Sequence, residues 1–220
     1  MESRDIAAFS TTVIASLSTD NIEAMTTLQI SALTVPQIQA LTTAQLGVLE
    51  LVDIPALTYS QIGALSSTQA EALSTLQLAA IEVPDISALS AAAIAAIPIA
   101  QFSVEQLQAI STTQARALTS TQVATLSTIQ LAAMEPRDIA AFSTTVISTL
   151  SLPKIIALTA AQIAALTTTQ IRSLTSTQVR TIEVADIPSL TPAQVAAMTT
   201  AQVAAFTGGQ IFALEPQDAA

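Results

Sequence analysis

An eight-residue repeat runs through almost the whole chain and restricts what it can fold into. From Glu2 onward the sequence divides into octads of the form T-x-x-Q-I-x-A-L. Position 1 is Thr, Ser or Glu, position 4 is mostly Gln or Asp, position 5 is mostly Ile, Val or Leu, position 7 is mostly small, and position 8 is Leu, Ile, Met or Phe. Octads cover residues 2–97, an irregular fragment, PIAQF, occupies residues 98–102, and octads cover residues 103–220. We therefore interpret residues 1–220 as a single repeat array.

The octads are themselves arranged in a longer repeat. ESRDIAAFSTTVIASL at residues 2–17 returns as EPRDIAAFSTTVISTL at residues 135–150, and ELVDIPAL at residues 50–57 returns as EVADIPSL at residues 183–190. Both pairs are separated by 133 residues, so the chain contains one super-repeat, residues 2–134, and part of a second, residues 135–220. Because the sequence stops within an octad, we expect the chain to be a segment of a longer array.

The period of eight predicts short helices. A strand would alternate with period two, which this pattern does not do. In one continuous helix, eight residues overshoot two turns by about 80°, so the apolar stripe would spiral around the rod. Thr or Ser at position 1 with Gln at position 4 forms a capping box, which starts a new helix in each octad. We therefore predict two-turn helices with positions 4, 5 and 8 on one face and positions 2, 3 and 6 exposed.

The prolines fit this register. Six of the nine fall at position 2 or 3, in the first turn of the predicted helices, where a missing N–H costs little: Pro36, Pro84, Pro136, Pro153, Pro192 and Pro216. Outside the octads that begin with Glu, most charged residues lie at position 3 or 6, and Lys154, at position 4, is the exception.

Helices of two turns need neighbours, because isolated helices shorter than roughly 12–15 residues are marginal in water. Stacking on adjacent repeats, as in a solenoid, supplies those neighbours. Seven helical residues make an edge of about 10 Å. Four such edges place opposite helices about 10 Å apart, which suits small side chains. We therefore predict an all-α solenoid with roughly four octads per coil.

Six octads carry Glu at position 1 together with Asp at position 4. One hypothesis is a row of paired carboxylates that binds Ca²⁺, although no Gly/Asp-rich loop completes the six to eight oxygens that this ion requires. We favour a second interpretation, in which the preceding helix continues through Glu and Asp caps the next helix. Pro55 and Pro188, at position 6, would then lie in a first turn. The six pairs are Glu2/Asp5, Glu50/Asp53, Glu82/Asp85, Glu135/Asp138, Glu183/Asp186 and Glu215/Asp218.

PIAQF at residues 98–102 is interpreted as a similar local irregularity, with a functional hinge as the alternative.

The composition excludes several classes of chemistry. The chain has no Cys and no His, which excludes disulfides, thiolate chemistry, zinc sites and imidazole catalysis. Its 6 basic and 16 acidic residues disfavour nucleic acid and anionic membrane surfaces as partners. Gln, Ser or Thr interrupts each apolar run, so we predict no membrane span, and ESRD after Met1 does not resemble a signal peptide. We predict no catalytic, metal-binding or cofactor-binding residue, and hence no enzyme.

The run ALTAAQIAALTTTQIRSLTSTQV at residues 157–179 resembles the Thr/Ala/Gln-rich short-repeat tracts of large, acidic, cysteine-free secreted or surface proteins of proteobacteria. The resemblance extends over nearly the whole chain. It implies a bacterial extracellular spacer, adhesin stalk or assembly element, and it carries over no functional residue. The nonapeptide glycine–aspartate calcium motif of many such proteins is absent from this chain.

We therefore predict a non-catalytic structural repeat protein, a spacer, stalk or self-assembling scaffold segment that is extracellular or at the cell surface and associates through its repeat ends. One alternative is a solenoid that binds a protein or peptide. Such a module would need larger residues at one octad position on successive coils, and positions 3 and 6 show no such concentration in the sequence. The other alternative is an ice-binding or surface-binding Thr array, which the engagement of position-1 Thr in capping disfavours.

Overall fold

A computed structural model of the chain describes residues 2–214, and every regular element within that range is a helix. The chain divides into two compact units, Met1–Ala117 and Leu118–Ala220. The prediction that residues 1–220 form a single array is not tested by this division and stays a prediction. The fold class itself is confirmed, because many short helices pack in sequence as a solenoid.

The first unit contains fifteen short helices among its described residues, three of them 3₁₀-helices: Ile54–Ala56, Val83–Ala88 and Ile99–Gln101. Its α-helices are Ser3–Ala7, Thr11–Ser16, Thr19–Glu23, Thr27–Ser31, Val35–Ala40, Thr43–Gly47, Tyr59–Gly63, Ser67–Glu71, Thr75–Ala80, Ala91–Ala96, Val104–Gln108 and Thr112–Ala117.

The second unit contains twelve short helices up to Leu214, of which Val184–Ser189 is a 3₁₀-helix. Its α-helices are Ser120–Thr125, Thr128–Ala133, Pro136–Ala141, Thr144–Ser148, Leu152–Ala157, Ala160–Ala165, Thr168–Ser173, Ser176–Thr181, Pro192–Ala197, Thr200–Ala204 and Gly208–Leu214.

Helices restart at position 1 of the octad because the backbone is extended there. Thr167 has φ −69° and ψ 157°, and the helix Thr168–Ser173 follows directly. Pro36, Pro84, Pro136, Pro153 and Pro192 lie in first turns as predicted. Pro216 lies outside the described residues. The predicted bend once per octad is therefore confirmed.

The side chains of positions 5 and 8 form the core of each unit. In the first unit Ile14 and Ile30 at position 5 and Leu41 at position 8 are buried. In the second unit Ile171 at position 5 and Leu166 at position 8 are buried in the same way. Aliphatic side chains at these two positions drive stacking because each coil removes the apolar surface of its neighbour from water.

Successive coils keep a fixed register. Helices that pack on one another are three octads apart, such as Thr11–Ser16 with Val35–Ala40 and Pro136–Ala141 with Ala160–Ala165. Hydrogen bonds from position 4 reach 28 and 31 residues back, to the end of the helix four octads earlier. Each helix therefore lies beside the corner between two helices of the preceding coil. One turn contains between three and four octads, close to the predicted number of roughly four.

The PIAQF fragment acts as a shortened octad. Ile99 and Phe102 are buried, as the residues of positions 5 and 8 are elsewhere. Gln106, in the next octad, donates to the carbonyls of Leu78 and Ile81, 28 and 25 residues back, which is three residues fewer than the usual spacing. The fragment thus lacks the first three positions of an octad and still completes one side of a coil. This supports its interpretation as a local irregularity.

Candidate interaction surface

The predicted capping boxes are present. The Thr167 hydroxyl accepts a hydrogen bond from the Gln170 backbone N–H at 3.2 Å, and Gln170 Oε1 accepts one from the Thr167 backbone N–H at 2.8 Å. The same reciprocal pair occurs in most octads of both units, for example at Thr42/Gln45. Position-1 hydroxyls are thus engaged at helix starts, as the sequence predicts.

The other end of the glutamine amide joins one coil to the next, a role that the sequence analysis missed. Gln170 Nε2 donates to the carbonyls of Ile139 at 3.0 Å and Phe142 at 2.8 Å, in the preceding coil. These carbonyls lie at the end of a helix, where the Ile139 carbonyl also accepts the N–H of the C-cap residue Phe142 at 3.2 Å. The glutamines with two such bonds are Gln37, Gln45, Gln61, Gln69, Gln77, Gln106 and Gln114 in the first unit. In the second unit they are Gln162, Gln170, Gln178, Gln194, Gln202 and Gln210.

One sequence signal could have revealed this second role. Gln occupies position 4 in sixteen octads and Glu in none. A capping box accepts either residue, since both supply a side-chain oxygen. Only the amide of Gln can also donate. Lys154, the exception at position 4, keeps the donor: its Nζ donates to the carbonyl of Ala124 at 2.8 Å.

Four of the five described octads that begin with Glu start their helices after Glu and not at Asp, so our preferred interpretation is wrong for them. In octad 50–57 the helix Ile54–Ala56 does begin after Asp53. Glu82, Glu135 and Glu183 have extended backbone at the N-cap, and their helices follow directly. Asp is then the third helical residue. In the first octad the Asp5 carboxylate accepts a hydrogen bond from the Glu2 N–H at 2.9 Å, as glutamine Oε1 does elsewhere. An acceptor at position 4 therefore satisfies the position-1 N–H without moving the helix start.

The prolines at position 6 give a mixed result. Pro188 lies inside the 3₁₀-helix Val184–Ser189 and not in a first turn, contrary to the prediction. Pro55 does lie in the first turn of Ile54–Ala56. Glu215 and Asp218 lie outside the described residues.

Asp53 joins two coils of the first unit. Its side chain makes no cap hydrogen bond, and its backbone is helical rather than extended. The buried carboxylate accepts a hydrogen bond from the Thr27 hydroxyl at 2.9 Å. Octad 50–57 is thus held to octad 26–33, three octads earlier.

Two other aspartates of these octads are electrostatically perturbed. Burial raises the pKa of Asp85, and the nearby Glu82 carboxylate raises it further. Burial and Glu183 have the same effects on the pKa of Asp186.

Within residues 2–214, no group of three or more His, Cys, Asp or Glu side chains is placed to hold a metal ion. In the same part of the chain, no helix is long and apolar enough to cross a membrane.

Large apolar side chains are exposed on one side of the first unit. Leu28, Val52 and Leu76, all at position 3, are 75%, 62% and 64% exposed, and Leu51 beside them is 46% exposed. Their octads are three apart, and Ile54–Ala56 packs against both Thr27–Ser31 and Thr75–Ala80. We call Leu28, Leu51, Val52 and Leu76 the apolar column. The expectation that position 3 shows no concentration of larger residues on successive coils is therefore wrong.

Comparison with known proteins identifies the repeat. The profile of the ALTTAQ repeat matches residues 1–35, 131–168 and 179–216, just over half of the chain. A search of curated proteins found no match. The hexapeptide Ala-Leu-Thr-Thr-Ala-Gln occurs at residues 40–45, where it ends one octad and supplies the capping box of the next. On the extent of the profile match, the chain belongs to the ALTTAQ repeat family.

Proposed function

We propose that the chain is a non-catalytic structural repeat protein, a spacer or stalk segment of a larger bacterial protein. The observation that supports this proposal is the use of the recurring polar groups. The hydroxyl of position 1 caps its own helix, and the amide of position 4 joins adjacent coils. The side chains that define the repeat are thus used in folding. Positions 2, 3 and 6, which are free to contact a ligand, differ from octad to octad.

The setting of this spacer is also part of the proposal. The resemblance of residues 157–179 to repeat tracts of secreted or surface proteins supports an extracellular or cell-surface location. The net charge of −10 supports the absence of nucleic acid among its partners.

A spacer is tested by its length. Residues 151–182 comprise four regular octads, and a second copy of them can be inserted after Ile182. We expect small-angle X-ray scattering to show a maximum dimension longer by about 10 Å, since one added coil contributes one helix-to-helix spacing. The control is an insert of the same residues in scrambled order, which cannot form capping boxes. An unchanged dimension with the intact copy, or an equal increase with the scrambled one, would contradict the proposal.

A second candidate function is self-association through an uncovered coil. Val203 and Ile211, at position 5 of the last described coil, are 44% and 45% exposed, whereas their counterparts Ile171 and Val179 are buried. An apolar groove lined by Leu190, Pro192, Val195, Ala196 and Leu214 lies in the same coil. We propose that such a surface stacks on another coil of the same kind, including one of a second copy.

Sedimentation of the 220-residue chain tests this candidate. We expect concentration-dependent association that is weakened by Val203→Thr with Ile211→Thr, because both changes lower the apolar area buried on stacking. A native chain that stays monomeric at all concentrations would remove the candidate.

A further inference from the structure

The apolar column is not required by the fold of its own helices. The same three octads bury Ile30, Ile54 and Leu78 at position 5, and these side chains supply the core contacts. Other octads carry Thr at position 3, including Thr68, Thr169 and Thr177, and their helices form in the same way. Aligned, largely exposed apolar side chains are typical of a surface that binds a partner.

A hydrogen bond between two octads also holds part of the apolar column in place. The Thr27 hydroxyl, one residue before Leu28, donates to the Asp53 carboxylate, one residue after Val52, at 2.9 Å. This hydrogen bond fixes two of the three levels of the column relative to one another. A surface whose members are already held in place loses little entropy when a partner binds.

Exposed acidic residues occur within five residues of each level of the column in the sequence. Glu23 and Glu71 precede Leu28 and Leu76 by five residues each, Glu50 immediately precedes Leu51, and all three carboxylates are exposed. The sequence contains no Lys or Arg between Arg4 and Arg116. The ion pairs of residues 2–214 involve Glu2, Asp5 and Glu135, not these three glutamates. Residues 1–117 carry ten acidic and two basic side chains, so the first unit is negatively charged. One of the two, Arg4, occupies position 3 of the octad that packs on Thr27–Ser31 and is ion-paired with Glu2.

We propose that the apolar column binds an amphipathic helix with an apolar face flanked by basic side chains, supplied by a partner protein. Helices packed 8–10 Å apart place Leu28 and Leu76 about 16–20 Å from each other. That distance corresponds to about 11–13 residues of a bound helix, whose apolar residues recur every three or four positions. Lysine or arginine at the edges of its apolar face would meet the glutamates. Opposite charges increase the rate at which the two proteins associate and favour a partner that carries positive charge.

The test uses the 220-residue chain and an 18-residue helical peptide of Leu and Lys with all Leu on one face. Leu28→Thr, Val52→Thr and Leu76→Thr together remove most of the column and install the residue that position 3 carries elsewhere. Ile129→Thr is the matched control, because Ile129 also occupies position 3 and is exposed, but it lies in the second unit. By fluorescence anisotropy we expect the triple variant to bind at least tenfold more weakly and the control to bind within twofold of the native chain.

Charge is tested separately. Glu23→Gln with Glu71→Gln should weaken binding severalfold, and added salt should weaken binding to the native chain more than binding to this variant. A peptide with Glu in place of Lys should bind at least tenfold more weakly than the Leu/Lys peptide. Equal binding by the two peptides would overturn the assignment of a basic partner.

Three further outcomes would overturn the proposal. The first is equal affinity of the triple variant and the native chain. The second is equal affinity for a Leu/Lys peptide of scrambled order, which has the same charge and no apolar face. The third is a native dimer that the triple substitution converts to monomer, which would assign the column to a second copy. If the triple variant melts more than a few degrees below the native chain, the single variants Leu28→Thr and Leu76→Thr replace it, each with an expected loss of at least threefold.

Discussion

Each position-4 glutamine connects two levels of structure, because its amide carries both an acceptor and donors. Gln170 Oε1 accepts the Thr167 N–H within one octad, while Nε2 donates to two carbonyls of the preceding coil. Gln170 is buried, so water cannot replace either set of bonds. Replacing the amide nitrogen of this side chain by oxygen therefore removes the hydrogen bonds between coils and keeps the one that caps the helix.

Gln170→Glu keeps the acceptor and removes the donors. We expect it to lower the free energy of unfolding by about 3 kcal/mol, since it removes both hydrogen bonds between the coils and buries a carboxylate beside two carbonyl oxygens. Urea unfolding at pH 7 measures the loss. At acidic pH the protonated carboxyl regains one donor, so the difference from the native chain should narrow. A loss no larger than that of a simple capping variant would contradict the stacking role of Nε2.

Thr167→Ala is that capping variant. It removes the hydroxyl that accepts the Gln170 N–H and should cost about 1 kcal/mol. Thr168→Ala, one residue later at an exposed position, should cost only a few tenths of that value. Thermal unfolding of the two variants compares them directly, and equal melting shifts would argue against the register.

The sequence predicts the capping pair because Thr167 and Gln170 are three residues apart, and the motif is local. It does not predict the inter-coil bonds, because Ile139 and Phe142 are 31 and 28 residues away and their carbonyls leave no mark in the sequence. The choice of Gln over Glu at position 4 is the one residue-level clue.

The helices of this chain differ in local geometry while their position-5 side chains stay buried. Val83–Ala88 and Val184–Ser189 are 3₁₀-helices, yet Ile86 and Ile187 are as buried as the isoleucines of neighbouring α-helices. In Val184–Ser189 the ring of Pro188 excludes the α-helical carbonyl contact with Val184, which favours the tighter helix. In the octads at Glu82, Glu135 and Glu183 the predicted shift of the helix start to Asp was wrong, because Glu at position 1 already adopts the extended N-cap backbone.

The aspartates of these elements make stability depend on pH. Burial and Glu82 raise the pKa of Asp85 above its value in the unfolded chain, near 3.8. The stabilising contribution of Asp85 is therefore present below that value and is lost as pH rises through the folded-state pKa. Asp85→Asn should raise the melting temperature at pH 7, and the gain should vanish below about pH 4.

Glu105 serves as a control, because its pKa is shifted in the direction opposite to that of Asp85. Hydrogen bonds from its own backbone N–H and from the Ser103 hydroxyl lower its pKa. Glu105→Gln should therefore lower the melting temperature at pH 7, with the difference lost in acid. Melting curves at pH 7 and pH 3 measure both variants. A destabilising Asp85→Asn at pH 7 would contradict the role assigned to burial.

At the scale of the whole molecule, stability comes from contacts between adjacent coils within each unit. The glutamine bonds within each unit join residues 25–31 positions apart, so each coil depends on the coils beside it. In such arrays stability is the sum of repeat and interface terms. A coil covered on both sides is therefore held more firmly than one that is covered on a single side.

Hydrogen exchange can compare two coils in one molecule. The Ile171 N–H donates to the Thr167 carbonyl at 2.9 Å, and the Ile211 N–H donates to the Thr207 carbonyl at 3.0 Å. The two bonds are alike, but the Ile171 side chain is buried and that of Ile211 is exposed. We expect the Ile211 amide to exchange at least tenfold faster in NMR measurements, because local opening there breaks fewer contacts. Equal rates would show that the coils open together.

The solenoid and its approximate number of octads per turn could be predicted, since both depend on repeat length and helix geometry. The apolar column could not. In the sequence Leu28, Val52 and Leu76 are separated by 24 residues each, and the octads between them carry Pro, Ala, Ser or Thr at position 3. Only the knowledge that octads three apart pack on each other brings these side chains to one surface.

The acceptors of the glutamine bonds between coils are main-chain carbonyls, which every residue possesses whatever its side chain. An octad can therefore accept these bonds whatever its sequence, and the gain or loss of eight codons adds or removes one octad, a fraction of a coil. The shortened element at residues 98–102 shows that even an incomplete unit is accommodated. Recombination between similar gene segments can thus lengthen or shorten this protein in single steps.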